Sequence, residues 1–235
     1  LFFHLGGVNR DTDEEILKGN ISGTSRLLEA ILDNGKSSAR LIFMSSAQVY
    51  SMANCKTPIR ETRKANPDTV YGVSKQGAEH LIRISGVPFT ILRFSNVYGP
   101  GCRPNYNSVV ATMCYRAVKG LPLVVNGDGR QGRDFVYIDD AVSALVLAGF
   151  ELVSGTGKIF NVSSGRKTSI KQIVRQICRL HKNTRVEFLT DKKNAGISYC
   201  CDPSKFSGKY GWRPRVSLSK GIEQTLSYYR GRKIT

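Results

Sequence analysis

No apolar run in this chain approaches the roughly 20 residues that a membrane span needs; one of the longest, AVSALVLAGF at residues 141–150, reaches about half of that. The N-terminus lacks the basic region of a signal peptide, so a cytoplasmic location is expected. Cysteine occurs six times, at 55, 102, 114, 178, 200 and 201. No two cysteines form a C-x-x-C pair, and adjacent Cys200 and Cys201 suit no ordinary disulfide geometry, so reduced thiols that serve packing are expected. Histidine is scarce and scattered, at His4, His80 and His181. None has a carboxylate or thiolate at ligand spacing, and no metal site is expected. Acidic residues are also few, 18 against 35 Lys and Arg, for a net charge of +17. The basic residues are nevertheless spread along the chain, with no run of five and no aromatic-interleaved basic motif, which argues against a nucleic-acid module. A phosphate-bearing small substrate explains a few of these charges, and solvated surface the rest.

What is present suits a folded enzyme-sized domain. A chain of 235 residues with 40% hydrophobic and 23% charged content buries a full core. LFFHLGG reads as a buried strand feeding a tight loop, although a core strand without an initiating Met is an odd opening for a complete protein. A helical region follows through EEILKGNISGTSRLLEAILDNG, then a strand RLIFMSS, a long loop, a helix from Thr69 to about Ser85, and a strand PFTILRFSN. Strands alternating with helices of this length predict a parallel, helix-covered sheet. Ligands of such sheets lie beyond the carboxyl ends of the strands. Those exits are Gly6-Gly7, Ser45-Ser46 and Ser95-Asn96, all small or polar.

Tyr-x-x-x-Lys occurs three times, at Tyr71/Lys75, Tyr115/Lys119 and Tyr229/Lys233, so spacing alone says little. Tyr71 stands apart because it opens a helix after the strand ending in Ser46, which lets serine and tyrosine converge at one sheet edge. The i, i+4 spacing sets Lys75 on the same helical face, where its ammonium favours a phenolate. Tyr115 follows no polar strand exit, and Tyr229 is expected in a frayed C-terminus.

FMSSAQVYS, YGVSK and LRFSNVYGPG, in that order, resemble the serine strand, the Tyr-x-x-x-Lys helix and the following strand of the extended short-chain dehydrogenase/reductases that act on nucleotide sugars. The 25 residues from Ser46 to Tyr71 are similar too. GNISGT, GDGRQGRDFVYIDD, FNVSSG and DPSKFSGKYGWRPRVSLSKGIEQTLSYY extend the resemblance through nearly the whole chain. It implies an α/β fold, with a doubly wound parallel (Rossmann-type) sheet that is N-terminally incomplete and a smaller α+β C-terminal substrate lobe. The sheet domain is expected in 1–96 and 133–162, the lobe in 97–132 and 163–235. The family's Gly-x-x-Gly-x-x-Gly turn and its acidic residue should lie about 60 residues upstream of FFHLGG. A longer polypeptide is therefore expected, with the sheet edge beside residues 1–5 bare or covered by another chain. Gly127, Gly129 and Gly132 spell G-x-G-x-x-G but lead into a strand-like RDFVYI, so they are not read as a dinucleotide motif.

The resemblance implies Tyr71 as general base and acid on a sugar hydroxyl, with Lys75 lowering its pKa and holding the nicotinamide ribose. A phenol near pKa 10 needs such a cation to act as a base at neutral pH. Ser46 would hydrogen-bond the same sugar oxygen. Gly6, Gly7 and Asn20 join Tyr71 and Lys75 around the cofactor, Asn20 as a brace, though it could instead cap a helix. Asn96 and Arg133 would meet the substrate diphosphate, unless Arg133 merely pairs with Asp134 or Asp139. A second arginine expected ten residues before Asp202 is Lys192 here, which keeps charge without the fork. Dehydratase and decarboxylating relatives place acids just after the hydroxyl residue; Ala47 and Gln48 stand there instead, which argues against dehydration. The expected activity is a nucleotide-sugar 4-epimerase, on a UDP-hexose, with bound NAD. Alternatives are a 4-ketoreductase using NADPH and a non-catalytic dinucleotide-sensing protein. NAD versus NADP stays open, and the expected partner is a nucleotide sugar, with a homodimer allowed and neither nucleic acid nor membrane involved.

Overall fold

The segments LIFMSS and FTILRF are apolar on both faces, a pattern that a sheet can bury only when helices cover each side. The computed structural model describes residues 1–34, 39–52, 57–106, 108–150, 157–189 and 198–231. The chain runs β1 (Phe2–His4), α1 (Asp13–Leu17), a π-helical turn (Lys18–Ser22), α2 (Gly23–Asp33), β2 (Leu41–Ser46), a 3-10 turn (Ala47–Val49), α3 (Val70–Ile84), β3 (Phe89–Phe94) and β4 (Asn96–Tyr98). It continues through α4 (Val109–Val118), β5 (Leu123–Asn126), β6 (Gly132–Arg133), β7 (Phe135–Tyr137), α5 (Ile138–Phe150), β8 (Lys158–Val162), β9 (Thr168–Ser169), α6 (Ile170–Leu180), β10 (Val186–Leu189), α7 (Ser204–Tyr210) and α8 (Leu218–Arg230).

The main sheet has the order β1-β2-β3-β8, and every pairing in it is parallel. Successive side chains leave opposite faces of a strand. Leu41, Phe43 and Ile91 accordingly pack with Leu28 and Ile31 of α2 and with Ala78 and Ile82 of α3. Ile42, Leu92 and Phe94 pack the other way, with Ala144 and Ala148 of α5 and with Phe206 of α7. The sheet is thus wound on both faces. The outer edge of β1 has no strand partner among the described residues, and Leu1, Phe3 and Leu5 beside it are exposed.

A separate core joins Leu123 and Val125 of β5 to residues of α4, α6 and α8. Short pairs flank it: β4 with β7 and β5 with β10 are parallel, and β6 with β9 is antiparallel. Gly127 and Gly129, both at positive φ, lead along the chain into the short strand β6 and not into a helix; the first turn of α6 meets this turn from elsewhere in the chain, the Lys171 amide donating to the Gly129 carbonyl at 2.9 Å. The frayed end expected at Tyr229 is not found. Its ring is buried against Tyr115, and its hydroxyl donates to the Cys102 carbonyl at 2.6 Å, because α8 closes the core and leaves no free end there.

Charge is also buried in the sheet. Arg93 of β3 donates to both carboxylate oxygens of Glu79 on α3, at 2.9 and 2.6 Å, and to the Tyr50 hydroxyl at 2.9 Å. Ser45 donates to Glu79 at 2.6 Å, and Tyr50 donates to Asn161 of β8 at 2.9 Å. These bonds tie α3 to three strands of the sheet. A buried pair costs desolvation, so its loss is felt mainly through the charge left alone. Glu79→Leu or Arg93→Met is expected to lower the unfolding free energy by about 3–5 kcal/mol, and the double variant by less than either. Urea denaturation of the three variants checks this, and a double variant as unstable as the worse single would refute it.

Candidate active site

The exits of β1, β2 and β3 open on one cleft of 230 Å³, lined among others by Gly6, Gly7, Ser46, Tyr71, Lys75 and Asn96. Helix α3 brings Tyr71 there in its first turn. Thr69 caps that turn by accepting from the Gly72 amide at 3.0 Å. A Cβ on Gly72 would collide with the Gln48 carbonyl oxygen and lie 2.7 Å from Pro67 Cβ. The missing side chain lets the helix start directly against the 3-10 turn that follows Ser46, and so sets serine and tyrosine side by side.

Asn20 stands behind this wall. Its Oδ1 accepts from the Val8 amide at 2.8 Å, and its Nδ2 donates to the Val8 carbonyl and the Ser74 hydroxyl, both at 2.8 Å. Ser74 in turn donates to the Tyr71 carbonyl. Asn20 therefore braces the loop after β1 against the first turn of α3; it lies in the π-helical turn and caps no helix. A Cβ on Gly7 would lie 2.9 Å from Asn20 Oδ1 and 3.6 Å from Lys75 Nζ, so only glycine lets the loop run this close to both.

The Lys75 ammonium is buried, 4.3 Å from the centroid of the Phe43 ring. It donates to no oxygen among the described residues. Burial lowers it to about 8 against the pull of the Glu79 carboxylate. His4 nearby is lowered to about 4, by burial first and then by the Lys75 charge. Tyr71 departs from the sequence expectation: its phenol is raised, with burial the dominant cause, the Ser46 hydroxyl opposing and Tyr106 adding. Desolvation of the phenolate outweighs its neighbours in the chain by itself.

Asn96 and Arg133 stand beside this cleft. Asn96 lies at the start of β4 and donates through Nδ2 to the Asp134 carbonyl at 2.9 Å and to the Tyr199 hydroxyl at 3.0 Å. Arg133 pairs with neither Asp134 nor Asp139. Its guanidinium donates to the Gly132 carbonyl at 3.1 Å and lies 5.5 Å from the Tyr199 ring. It lines an adjoining cavity of 570 Å³ that shares Asn96 and Tyr106 with the cleft, and a smaller one of 210 Å³ that includes Gln48, Thr69 and Tyr199. Asp134 is fully buried and accepts from the Ser164, Gly165 and Cys201 amides and the Ser164 hydroxyl. Lys192 lies outside the described residues.

Sequence reasoning missed Tyr199 and Tyr106. Tyr106 accepts from the Asn9 and Arg10 amides at 3.4 and 3.3 Å, and so joins the loop after β1 to the segment before α4. Neither tyrosine sits in a periodic segment, and only the folded chain brings them to the cleft. No disulfide joins the described cysteines 102, 114, 178, 200 and 201 to one another. Among the described residues no group of metal-ligating side chains forms and no helix is long and apolar enough to cross a membrane.

A parallel sheet wound on both faces, with serine, tyrosine and lysine gathered at its strand exits, defines a Rossmann-type fold of the short-chain dehydrogenase/reductase kind. The chain belongs to the NAD dependent epimerase/dehydratase family, whose model matches residues 3–163. It is similar to the UDP-glucose 4-epimerase of Thermotoga maritima solved with UDP-glucose, with 31% identity and a TM-score of 0.87 over 97% of this chain and 76% of that one. The UDP-glucuronic acid 4-epimerase of Bacillus cereus solved with NAD gives 29% identity and a TM-score of 0.85 over 97% of this chain and 73% of that one. A curated dTDP-glucose 4,6-dehydratase of Xanthomonas campestris pv. campestris is 28% identical over 236 residues, 91% of this chain and 66% of the relative, so the chain spans just under two thirds of that protein's length.

Lys75 carries a pH signature. With a folded value near 8 and an ordinary value of 10.5, the unfolded chain binds more protons between these limits, so stability from this group rises with pH across that window. Relative to Lys75→Met, the wild-type protein should gain up to about 3 kcal/mol between pH 8 and 10.5. Urea midpoints of both proteins measured over that range check it, and a constant difference between them would place Lys75 in a solvated environment.

Proposed function

We propose that the protein is a nucleotide-sugar 4-epimerase acting on a UDP-hexose with NAD. The observation that carries this reading is the meeting of Ser46, Tyr71 and Lys75 at one cleft, with Lys75 donating to no oxygen among the described residues. The residues present fit the dinucleotide. Gly6 has open space beside it, Gly7 allows close approach, and the unused ammonium donors suit ribose hydroxyls. When bound, NAD supplies a hydride acceptor and donor.

The chain's own residues supply the proton transfer and the orientation. Ser46 and Tyr71 would hold the C4 hydroxyl of the sugar, and its proton would pass to Tyr71 in the phenolate form, the phenol proton having first been lost to solvent, while the C4 hydride would leave to the bound dinucleotide. Lys75, still charged at neutral pH, provides the positive charge that a buried phenol needs to act as a base. Proton return from Tyr71 to the sugar oxygen accompanies hydride return to the other face. In this reading residues 97–132 and 163–235 form the substrate lobe, with Arg133 beside the diphosphate, where its charge-assisted bonds are strong. Asn20 acts through the loop and helix that it braces.

Gln48 supports epimerisation over dehydration. Its Oε1 accepts from the Thr69 hydroxyl at 3.3 Å, and Ala47 beside it is buried. A neutral amide and a methyl group cannot protonate a leaving hydroxyl there.

Incubation of the protein with NAD and UDP-glucose should yield the C4 epimer, detected by proton NMR. A 4-keto-6-deoxy product would replace this reading with a dehydratase, and binding of dinucleotide without any product would favour a sensor. Tyr71→Phe should lower turnover by about 100-fold or more with UDP-hexose affinity within about twofold. Equal loss in both would make Tyr71 a structural residue.

A further inference from the structure

A cavity of 560 Å³ opens between the loop after β8 and the first turn of α8. It shares no lining residue with the cleft that holds Tyr71, and nothing in the proposed reaction uses it. Its floor includes the rings of Tyr98 and Tyr137, 2% and 3% exposed. The two rings stand edge to face with centroids 5.6 Å apart. They end against α8, where a Cβ on Gly221 would collide with the Tyr98 hydroxyl and lie 2.9 Å from Tyr137 Cδ2. Neither hydroxyl has a hydrogen-bond partner among the described residues. Burial raises both phenols and the Asp140 charge adds to it, so both protons are in place at neutral pH. A buried donor without a partner is costly until something in the cavity accepts from it.

The mouth of the cavity is cationic. Arg166 comes from the loop after β8, and Arg213 and Arg215 come from the segment before α8. All three are exposed, and none pairs with a carboxylate among the described residues. Among the described lining residues only Asp140 is acidic. Its two oxygens accept from the Arg215 and Val216 amides at 2.9 and 3.0 Å, which folds the arginine segment over the cavity. Ser217 caps α8 by accepting from the Lys220 amide at 3.3 Å. The Leu218 and Ser219 amides, at the head of this 13-residue helix, have no intrahelical acceptor. Guanidinium forks, helix-end amides and phenol protons are all donors that suit phosphate oxygens. The apolar part of the lining is equally definite. Phe135, Pro203 and Pro214 join the two tyrosine rings, and the volume suits a drug-sized molecule and not a bare ion.

We propose that this cavity is a second binding site, for a small organic phosphate with an aromatic body. The phosphate meets Arg213, Arg215 and the first turn of α8, and takes the Tyr98 proton; the aromatic body lies against the tyrosine rings, where edge-to-face contact is favourable. The proposal stands apart from the nucleotide-sugar reading and does not depend on it.

Calorimetric titration with phenyl phosphate, inorganic phosphate and phenol tests this on the wild-type protein, the double variant Arg213→Gln/Arg215→Gln, Tyr98→Phe and Arg133→Gln. The two arginines are exposed, so their replacement leaves the core intact. Phenyl phosphate should bind the wild-type protein, and the double arginine variant should weaken that binding by about tenfold or more. Tyr98→Phe, which keeps the ring, should weaken it by about tenfold, as expected for a hydrogen bond to a charged oxygen. Arg133→Gln, in a different cavity, should change it by less than about twofold. Inorganic phosphate and phenol should each bind about tenfold more weakly or worse, because each lacks half of the ligand. No binding of phenyl phosphate at millimolar concentration overturns the proposal. So does affinity that is unchanged in the double arginine variant, or that falls in Arg133→Gln instead. Inorganic phosphate binding as tightly as phenyl phosphate overturns the organic ligand.

Discussion

The buried pair of Arg93 and Glu79 sets the height of α3 over the sheet, and the candidate site depends on that height. Glu79 lies one helical turn beyond Lys75 and two beyond Tyr71, so the bonds that hold Glu79 to β2 and β3 also aim the two preceding turns at the strand exits. Tyr50 and Asn161 extend the same network to β8. Native stability is about 5–15 kcal/mol in total, and stranding one buried charge consumes a large share of it. The network therefore serves geometry more than stability, because an apolar contact could slide where a bidentate fork cannot.

The same pair shapes the electrostatics of the cleft. Glu79 is the charge that favours the Lys75 ammonium, and sharing that carboxylate with Arg93 leaves Lys75 only partly compensated in an apolar slot. The result is a cation poised near neutrality beside a phenol whose neutral form is favoured by burial. In the proposed reaction Lys75 acts by its charge, and the apolar slot strengthens that charge's effect on the neighbouring phenol. Farther out, Arg133 brings charge suited to phosphate, and among the described residues no carboxylate pairs with it. The excess of 35 basic over 18 acidic residues is consistent with an anionic substrate.

Much of this was legible before folding because strand exits in a parallel sheet are fixed by topology. Ser46, Asn96, Gly6 and Gly7 follow apolar runs directly, and Tyr71 sits at the start of a periodic segment whose N-cap is Thr69. Their convergence follows from the fold class. The raised phenol of Tyr71 was not legible, since the sign depends on how much water the closed cleft excludes. Tyr199 lies in a segment with no periodicity, placed by bonds to Gly132 and by the single parallel bridge of Ile59 with Cys201. The buried pair did leave a trace, an arginine in the middle of the apolar strand TILRF, where a buried charge demands a partner. Tyr229 was misjudged because nearness to the chain end was taken for exposure, whereas α8 carries an apolar face that closes the second core.

The central claim, that one cleft oxidises and re-reduces the sugar at C4, is tested most directly by isotope tracing. UDP-glucose carrying deuterium at C4 would be turned over in ordinary water with NAD, and the product examined by deuterium NMR. Return of the label to C4 of the epimer without loss to solvent is the predicted result. Label found at another carbon, or washed out into water, would contradict it.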